Sequence, residues 1–237
     1  MRVVFVHGAC VRDGAWWWHR TAELLQKDGT SSAAPALPSC GEAGVAGGTD
    51  GPGLTEDAAA VRRTLEESDE ATVLVGHSYG GIVASEAAAG VGSVTHLLFV
   101  SSYLPEVGQS LSDLSSGGPA PFLDVDPVAG TFGVRPELLV DTFLQDCDAE
   151  VQAEAPGHLA RQSVHVLGQG VRAAAWQQVP STYLVCGADR GTPAPLQREY
   201  ARRAGRVVEL ATGHHPFLSA PAAVRDLVLS LETRASA

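Results

Sequence analysis

The sequence predicts a doubly wound α/β fold, with a mostly parallel sheet of about six strands and a small inserted helical cap. Three observations predict it. Short apolar runs recur between turn residues, segments of helical spacing alternate with those runs, and the stretch 103–178 breaks the alternation. The runs are 3–6, 32–37, 72–75, 96–100, 182–186 and 206–210, and most are apolar with little alternation. Such runs suit parallel strands covered by helices on both faces.

Taken in order, the first run ends at His7-Gly8-Ala9, where Gly8 lets the chain turn away from its strand. Trp18, Ala22 and Leu25 then follow helical spacing, so Trp16, Trp17 and Trp18 read as packing for the first helix, though one could line a pocket. Ala58, Val61 and Leu65 repeat in the same way, with Thr55 placed to cap and Glu56 and Asp57 in the first turn. Val224, Leu227, Val228 and Leu231 mark one apolar stripe near the C-terminus. Within 103–178, Gly and Pro cluster around Ser115 to Pro121, and Leu139, Val140, Phe143 and Leu144 carry a helical pattern after Pro136. Lying between two core runs, this segment is expected over the carboxyl ends of the strands, where open α/β sheets bind ligands. The 237 residues are therefore expected to form one domain, with 103–178 as a cap region within it.

Composition narrows the partners. A formal net charge of −11 disfavours binding to nucleic acid or to an anionic membrane, both of which rely on clustered Lys and Arg. A small molecule is the expected partner. The run 3–6 is too short for a signal-peptide core or a membrane span, and Cys10, Cys40, Cys147 and Cys186 are too widely spaced for a disulfide framework or a zinc site. These features suit reduced thiols in a cytoplasm. The sequence leaves oligomeric state open, with a homodimer among the options.

The chemistry centres on Gly76-His77-Ser78-Tyr79-Gly80. A serine hydroxyl is a poor nucleophile unless it is exposed, next to a base and facing donors for a developing oxyanion. Here the serine lies between a buried run and the helix start Gly81-Ile82-Val83-Ala84, so Ser78 projects from a tight strand-to-helix turn. The Tyr79 amide, with that of Ala9 from the first loop, can form an oxyanion hole. A base must come from another strand end: His214 follows the last run through Ala211-Thr212-Gly213, with His215 as its immediate rival. Asp189 follows the run 182–186 and can orient the imidazole, the competing reading being a pair with Arg190. Asp113, Asp124 and Asp126 are weaker candidates. His7 reads as a structural brace for its loop. His19, His96, His158 and His165 lack ligand spacing and His214-His215 would point apart if extended, so no metal is expected. Tyr79, Tyr103, Trp176 and Phe217 are the aromatic candidates for a substrate pocket.

These residues resemble the α/β-hydrolase superfamily, and within it the small esterase group of plant methylesterases and hydroxynitrile lyases. The marks are Phe5-Val6-His7-Gly8-Ala9-Cys10, Leu37-Pro38, Gly76-His77-Ser78-Tyr79-Gly80-Gly81, the segment from Tyr183 to Asp189, and Gly213-His214 followed by Pro216-Phe217-Leu218. The resemblance covers nearly the whole chain. It implies a triad of Ser78, Asp189 and His214, an oxyanion hole from Ala9 and Tyr79, and a modest helical cap; the ester hydrolysis expected below needs no cofactor. Two departures stand out: the chain starts at what looks like the third strand of the full fold, without the N-terminal hairpin, and His215 stands where the lyases of this group place a lysine.

The expected activity is hydrolysis of a small ester through an acyl-enzyme on Ser78. Two rivals remain: C–C bond cleavage using the same triad as a base, and binding of a small hydrophobic ligand with the triad vestigial.

Overall fold

A computed structural model describes residues 1–41, 50–115 and 120–232. Strand β1 (Arg2–Val6) leads through helix α1 (Gly14–Lys27) to β2 (Ser31–Ala33). Helix α2 (Leu54–Glu66) precedes β3 (Thr72–His77), and α3 (Tyr79–Ala87) connects β3 to β4 (Val94–Val100). An inserted region follows, with α4 (Leu111–Leu114), β5 (Leu123–Asp126), β6 (Thr131–Val134), α5 (Pro136–Phe143), α6 (Ala149–Glu154), β7 (Gln162–Ser163) and α7 (His165–Gly168). The chain then completes the main layers with β8 (Ser181–Cys186), α8 (Ala194–Ala201), β9 (Arg206–Leu210), α9 (Pro216–Ser219) and α10 (Pro221–Glu232).

The main sheet is parallel throughout, in the order β2-β1-β3-β4-β8-β9. Its inner strands β1, β3 and β8 are buried without alternation because both faces are covered. In β1, Val4 and Val6 join the core made with Leu54, Val61 and Leu65 of α2 and Ile82 of α3. Val3 and Phe5 point the other way, to Trp17, Trp18 and Leu25 of α1 and Val224, Val228 and Leu231 of α10. Trp18 stacks on both Phe5 and Phe217, with ring centroids 4.4 and 3.8 Å away, so it acts as the expected core residue. The C-terminal stripe is likewise buried. Edge strand β9 shows the opposite pattern, alternating as a half-covered strand does.

Three local expectations change. The run 32–37 pairs only over Ser31–Ala33, because Pro35 and Pro38 have no N–H to give a ladder; the chain leaves the sheet and buries Leu37 before a single 3₁₀ turn, Pro38–Cys40. Helix α2 starts one residue before Thr55, capped instead by the Glu56 carboxylate, which accepts the Gly53 N–H at 2.8 Å. Beside its expected helices the inserted region carries a three-stranded antiparallel sheet, β5-β6-β7. Its hairpin turn is built by Asp126, whose carboxylate accepts the amides of Val128 and Ala129, and by Gly130 at φ 63°. Of the Gly- and Pro-rich patch, residues 116–119 lie outside the described residues.

The inserted region is tied to the main layers at α3, where Arg172 donates its backbone N–H, Nε and Nη2 to the buried Glu86 carboxylate at 2.8–2.9 Å. All four cysteines are free and buried. Among the described residues, no helix is long and apolar enough to cross a membrane.

Candidate active site

Parallel strands bring their carboxyl ends to one edge, and the candidate residues sit on the loops that leave five of them: β1, β3, β4, β8 and β9. After β3 the chain turns sharply at Ser78, whose φ of 51° and ψ of −125° no side-chain-bearing residue adopts without strain. Gly76 and Gly80 make this turn possible. A Cβ on Gly76 would come within 2.6 Å of the Gly81 Cα, and one on Gly80 would run into the Val6 carbonyl. The elbow is held from β4: the Ser78 amide donates to Val100 O at 3.2 Å, and Ser102 Oγ donates to Ser78 O at 2.5 Å. Gly8 serves packing rather than a turn, since a Cβ there would press on His77 Nδ1 and Ser78 Cβ at 3.1 Å each.

The rival histidines separate by what their Nδ1 atoms meet. His214 Nδ1 lies 2.7 Å from Asp189 Oδ2, whereas His215 Nδ1 lies 3.0 Å from Phe143 O. Asp189 has not paired with Arg190, whose guanidinium donates to Asp141 O. Its carboxylate instead accepts from the amides of Gly191 and Thr192, from Gln197 Nε2 and from Ser101 Oγ. Burial pushes this carboxyl up, but the adjacent His214 and the hydrogen bonds from His214, Ser101 and Thr192 hold it below the ordinary carboxylate value. His7 braces its own loop through Nδ1 to Gly8 O at 2.8 Å.

His77 is the unforeseen member of the group. It ends β3, its Nε2 donates to His214 O at 3.0 Å, and its ring stands edge-on to His214 at 4.5 Å. Burial, with His214 and His215 adding to it, drives its pKa well below the ordinary value. His215 is pushed down to about 3 by burial and by His214. Among the described residues, His77, His214 and His215 are the set that could hold a metal ion, each offering a ring nitrogen within 4.8 Å of the others. The sequence concealed this set, because His77 reaches the pair only through the sheet. A cation bound there would engage the same imidazole that Asp189 orients.

Ser78, Tyr79, Ala9 and His214 line one cavity of about 440 Å³. Of the aromatic candidates, Tyr103 and Phe217 line it, and so does Trp17. Trp176 does not: its indole N–H donates to Pro105 O at 2.8 Å and its ring packs against the core beside α3. Tyr79 lines the cavity as a residue, yet its hydroxyl points into the core and donates to Asp57 at 2.8 Å. The wall from the inserted region is largely apolar, with Leu139, Phe122, Phe132 and Val134 beside the hydroxyls of Ser112 and Ser115, and no Asp, Glu, Lys or Arg borders the cavity among the described residues. Neither the Ala9 nor the Tyr79 amide meets an acceptor among the described residues. Sequence reasoning missed Ser101, Ser102 and Gln197; the carboxyl end of the run 96–100 was the signal for the first two.

Comparisons with known proteins bear on the family and the fold. The profile of the Alpha/beta hydrolase family matches residues 3–227. The alpha/beta hydrolase nvfD of Aspergillus novofumigatus is 31% identical over 207 residues, spanning 76% of this chain and 77% of that protein. Methylesterase 8 of Arabidopsis thaliana is 25% identical over 254 residues, spanning 98% and 90%. Among solved structures, a pyrethroid hydrolase from Sphingobium faniae JZ-2 superposes with a TM-score of 0.85 at 22% identity, covering 100% of this chain and 98% of that one. With its parallel sheet, its serine elbow and a family profile running nearly end to end, this chain belongs to the alpha/beta hydrolase family.

Proposed function

We propose that the chain is a serine hydrolase that cleaves a small, neutral, largely apolar carboxylic ester. The observation that carries the reading is the Asp189–His214 pair at 2.7 Å on the wall of the cavity that also holds the strained Ser78 turn. In this mechanism Ser78 Oγ attacks the ester carbonyl while His214 Nε2 takes its proton. Asp189 keeps the imidazole in the tautomer with its proton on Nδ1 and stabilises the imidazolium. The oxyanion rests on the Ala9 and Tyr79 amides. His214 returns the proton to the departing alkoxide, and water then releases the acyl group from Ser78.

The cavity supports this substrate class. A volume of about 440 Å³ suits a small molecule, and a wall with no bordering carboxylate, ammonium or guanidinium among the described residues would leave a charged substrate unpaired. Names such as methylesterase and pyrethroid hydrolase among the relatives accord with ester cleavage.

The lyase reading is disfavoured by His215. Where the lyases it resembles place a lysine, this chain has an imidazole pushed down to about 3, and therefore uncharged at neutral pH, with no cation to receive an anionic leaving group. Ser78→Ala should abolish turnover of a short-chain nitrophenyl ester, and a fluorophosphonate should label Ser78 in the wild type. Undiminished turnover by the variant refutes the assignment. Failure of the folded wild type to label favours the vestigial-triad reading.

A further inference from the structure

Asp57 is buried completely, and its carboxylate accepts from the Ser39 amide at 2.9 Å, Ser39 Oγ at 2.5 Å and Tyr79 Oη at 2.8 Å. A buried carboxylate is costly unless its lone pairs are met, and nothing in the ester mechanism above uses this one. The network continues. Ser39 Oγ accepts from Gln162 Nε2 at 2.9 Å, and Gln162 Oε1 accepts from the Cys10 amide at 2.9 Å. Five residues from five separate segments thus form one unbroken chain of hydrogen bonds from the Cys10 amide to the Tyr79 hydroxyl.

Its two ends fall beside the two oxyanion donors. Tyr79 supplies one of them with its own amide, and its phenol is tethered to Asp57. Cys10 follows Ala9, the other donor, and sits at a φ of 60° that a residue with a Cβ tolerates only when its surroundings hold it. The Gln162 bond does this: it takes up the Cys10 N–H, which fixes the Ala9–Cys10 peptide plane. Cys10 N–H is therefore unavailable to the cavity, leaving Ala9 as the donor on this side. Gln162 belongs to β7 of the inserted region, whereas Ser39 and Asp57 belong to the main layers, so seating of the cap and spacing of the donors are linked.

We propose that Asp57 is a positioning residue which, through Tyr79 on one side and Ser39 and Gln162 on the other, sets the separation of the Ala9 and Tyr79 amides. This rests on the ester-hydrolase reading above. Since catalysis depends on donors placed for the transition-state oxygen rather than for the ground-state carbonyl, a loosened network lowers kcat more than it raises KM.

The experiment compares wild type, Tyr79→Phe, Gln162→Leu and the double variant on one neutral nitrophenyl ester. It adds inhibition by a trifluoromethyl ketone, which adds the Ser78 oxygen to mimic the tetrahedral intermediate, and by the matching secondary alcohol, which cannot. Each single variant is expected to lose about one to two orders of magnitude in kcat, less than the two to three typical of losing a donor outright. KM and alcohol affinity should stay within about threefold, ketone affinity should fall in step with kcat/KM, and the double variant should be little worse than either single one. Equal weakening of ketone and alcohol, or kcat within about twofold of wild type, overturns the proposal. Should Gln162→Leu fail to fold, Tyr79→Phe, which removes one oxygen, decides alone. Ser78→Ala keeps the two claims apart: if it turns over the ester as well as wild type, the hydrolase reading has failed, whereas an inert Ser78→Ala beside a normal Tyr79→Phe sinks only the positioning role.

Discussion

The hydroxyl of Ser101 donates to Oδ2 of Asp189, the same oxygen that meets His214 Nδ1, and its Oγ is 3.2 Å from that nitrogen. Ser101 occupies the first position after β4 at a φ of 42°, so the β4 end contributes a third group to the acid–imidazole pair. Removing the hydroxyl leaves a buried carboxylate one charged hydrogen bond short. Ser101→Ala should lose about 1.5–3 kcal/mol in denaturant unfolding and, with the imidazole less firmly oriented, about tenfold in kcat. A variant as stable and as active as wild type would show that the Ser101 contact is incidental.

Asp189→Asn tests a different part of the same arrangement. The amide preserves the size of the side chain but presents an N–H donor to Nδ1 where the carboxylate accepts from it, so His214 is driven to the tautomer with its proton on Nε2, which cannot accept the Ser78 proton. Turnover of the nitrophenyl ester should fall by about 10⁴, with KM changed little. A loss of less than about tenfold would point to another acid as the partner of His214.

Much of this arrangement was legible in the sequence because each visible feature was local. The unbroken apolar runs at β1, β3 and β8 announce strands covered on both faces, and Gly76, Ser78 and Gly80 encode a turn whose crowding only glycine relieves. What remained hidden was set by contacts between distant segments. Spacing cannot choose between His214 and His215; the choice lies in Asp189 Oδ2 and Phe143 O, which come from other parts of the chain. Asp57 reads as an ordinary acidic residue of a first helical turn, favourable to the helix dipole, until Ser39 and Tyr79 close over it. The β5–β6 hairpin escaped notice because Asp126 to Gly130 reads equally well as loop.

The grouping of His77, His214 and His215 leads to a prediction about metals. Each ring already spends one nitrogen on an oxygen acceptor: His214 O, Asp189 Oδ2 and Phe143 O respectively. That is the outer arrangement that metal-binding histidines favour. The proposed mechanism, however, needs the second nitrogen of His214 for proton transfer. EDTA should therefore leave turnover unchanged, while excess Zn²⁺ should inhibit reversibly and be relieved by the chelator. Loss of activity on dialysis against EDTA, restored by Zn²⁺, would contradict a metal-free mechanism.

The same histidines govern acid stability. His77 and His215 are buried with ring centroids 4.9 Å apart, and burial, reinforced by His214, lowers both pKa values, that of His215 to about 3. In the unfolded chain each would titrate near about 6.5. Because the folded values lie below the unfolded ones, the native state binds fewer protons in this window. Stability is then complete above about pH 6.5 and declines as pH falls, by up to about 1.4 kcal/mol per pH unit for each group, and the His215 contribution levels off near about 3. The groups facing them do not cancel this: Asp189 is lowered too, so its own loss begins only below the ordinary carboxylate range. Urea unfolding between about pH 7.5 and 5 should show the decline, and His215→Gln should make it shallower. A wild-type stability that is flat across that interval would mean that His77 and His215 accept protons in the folded state.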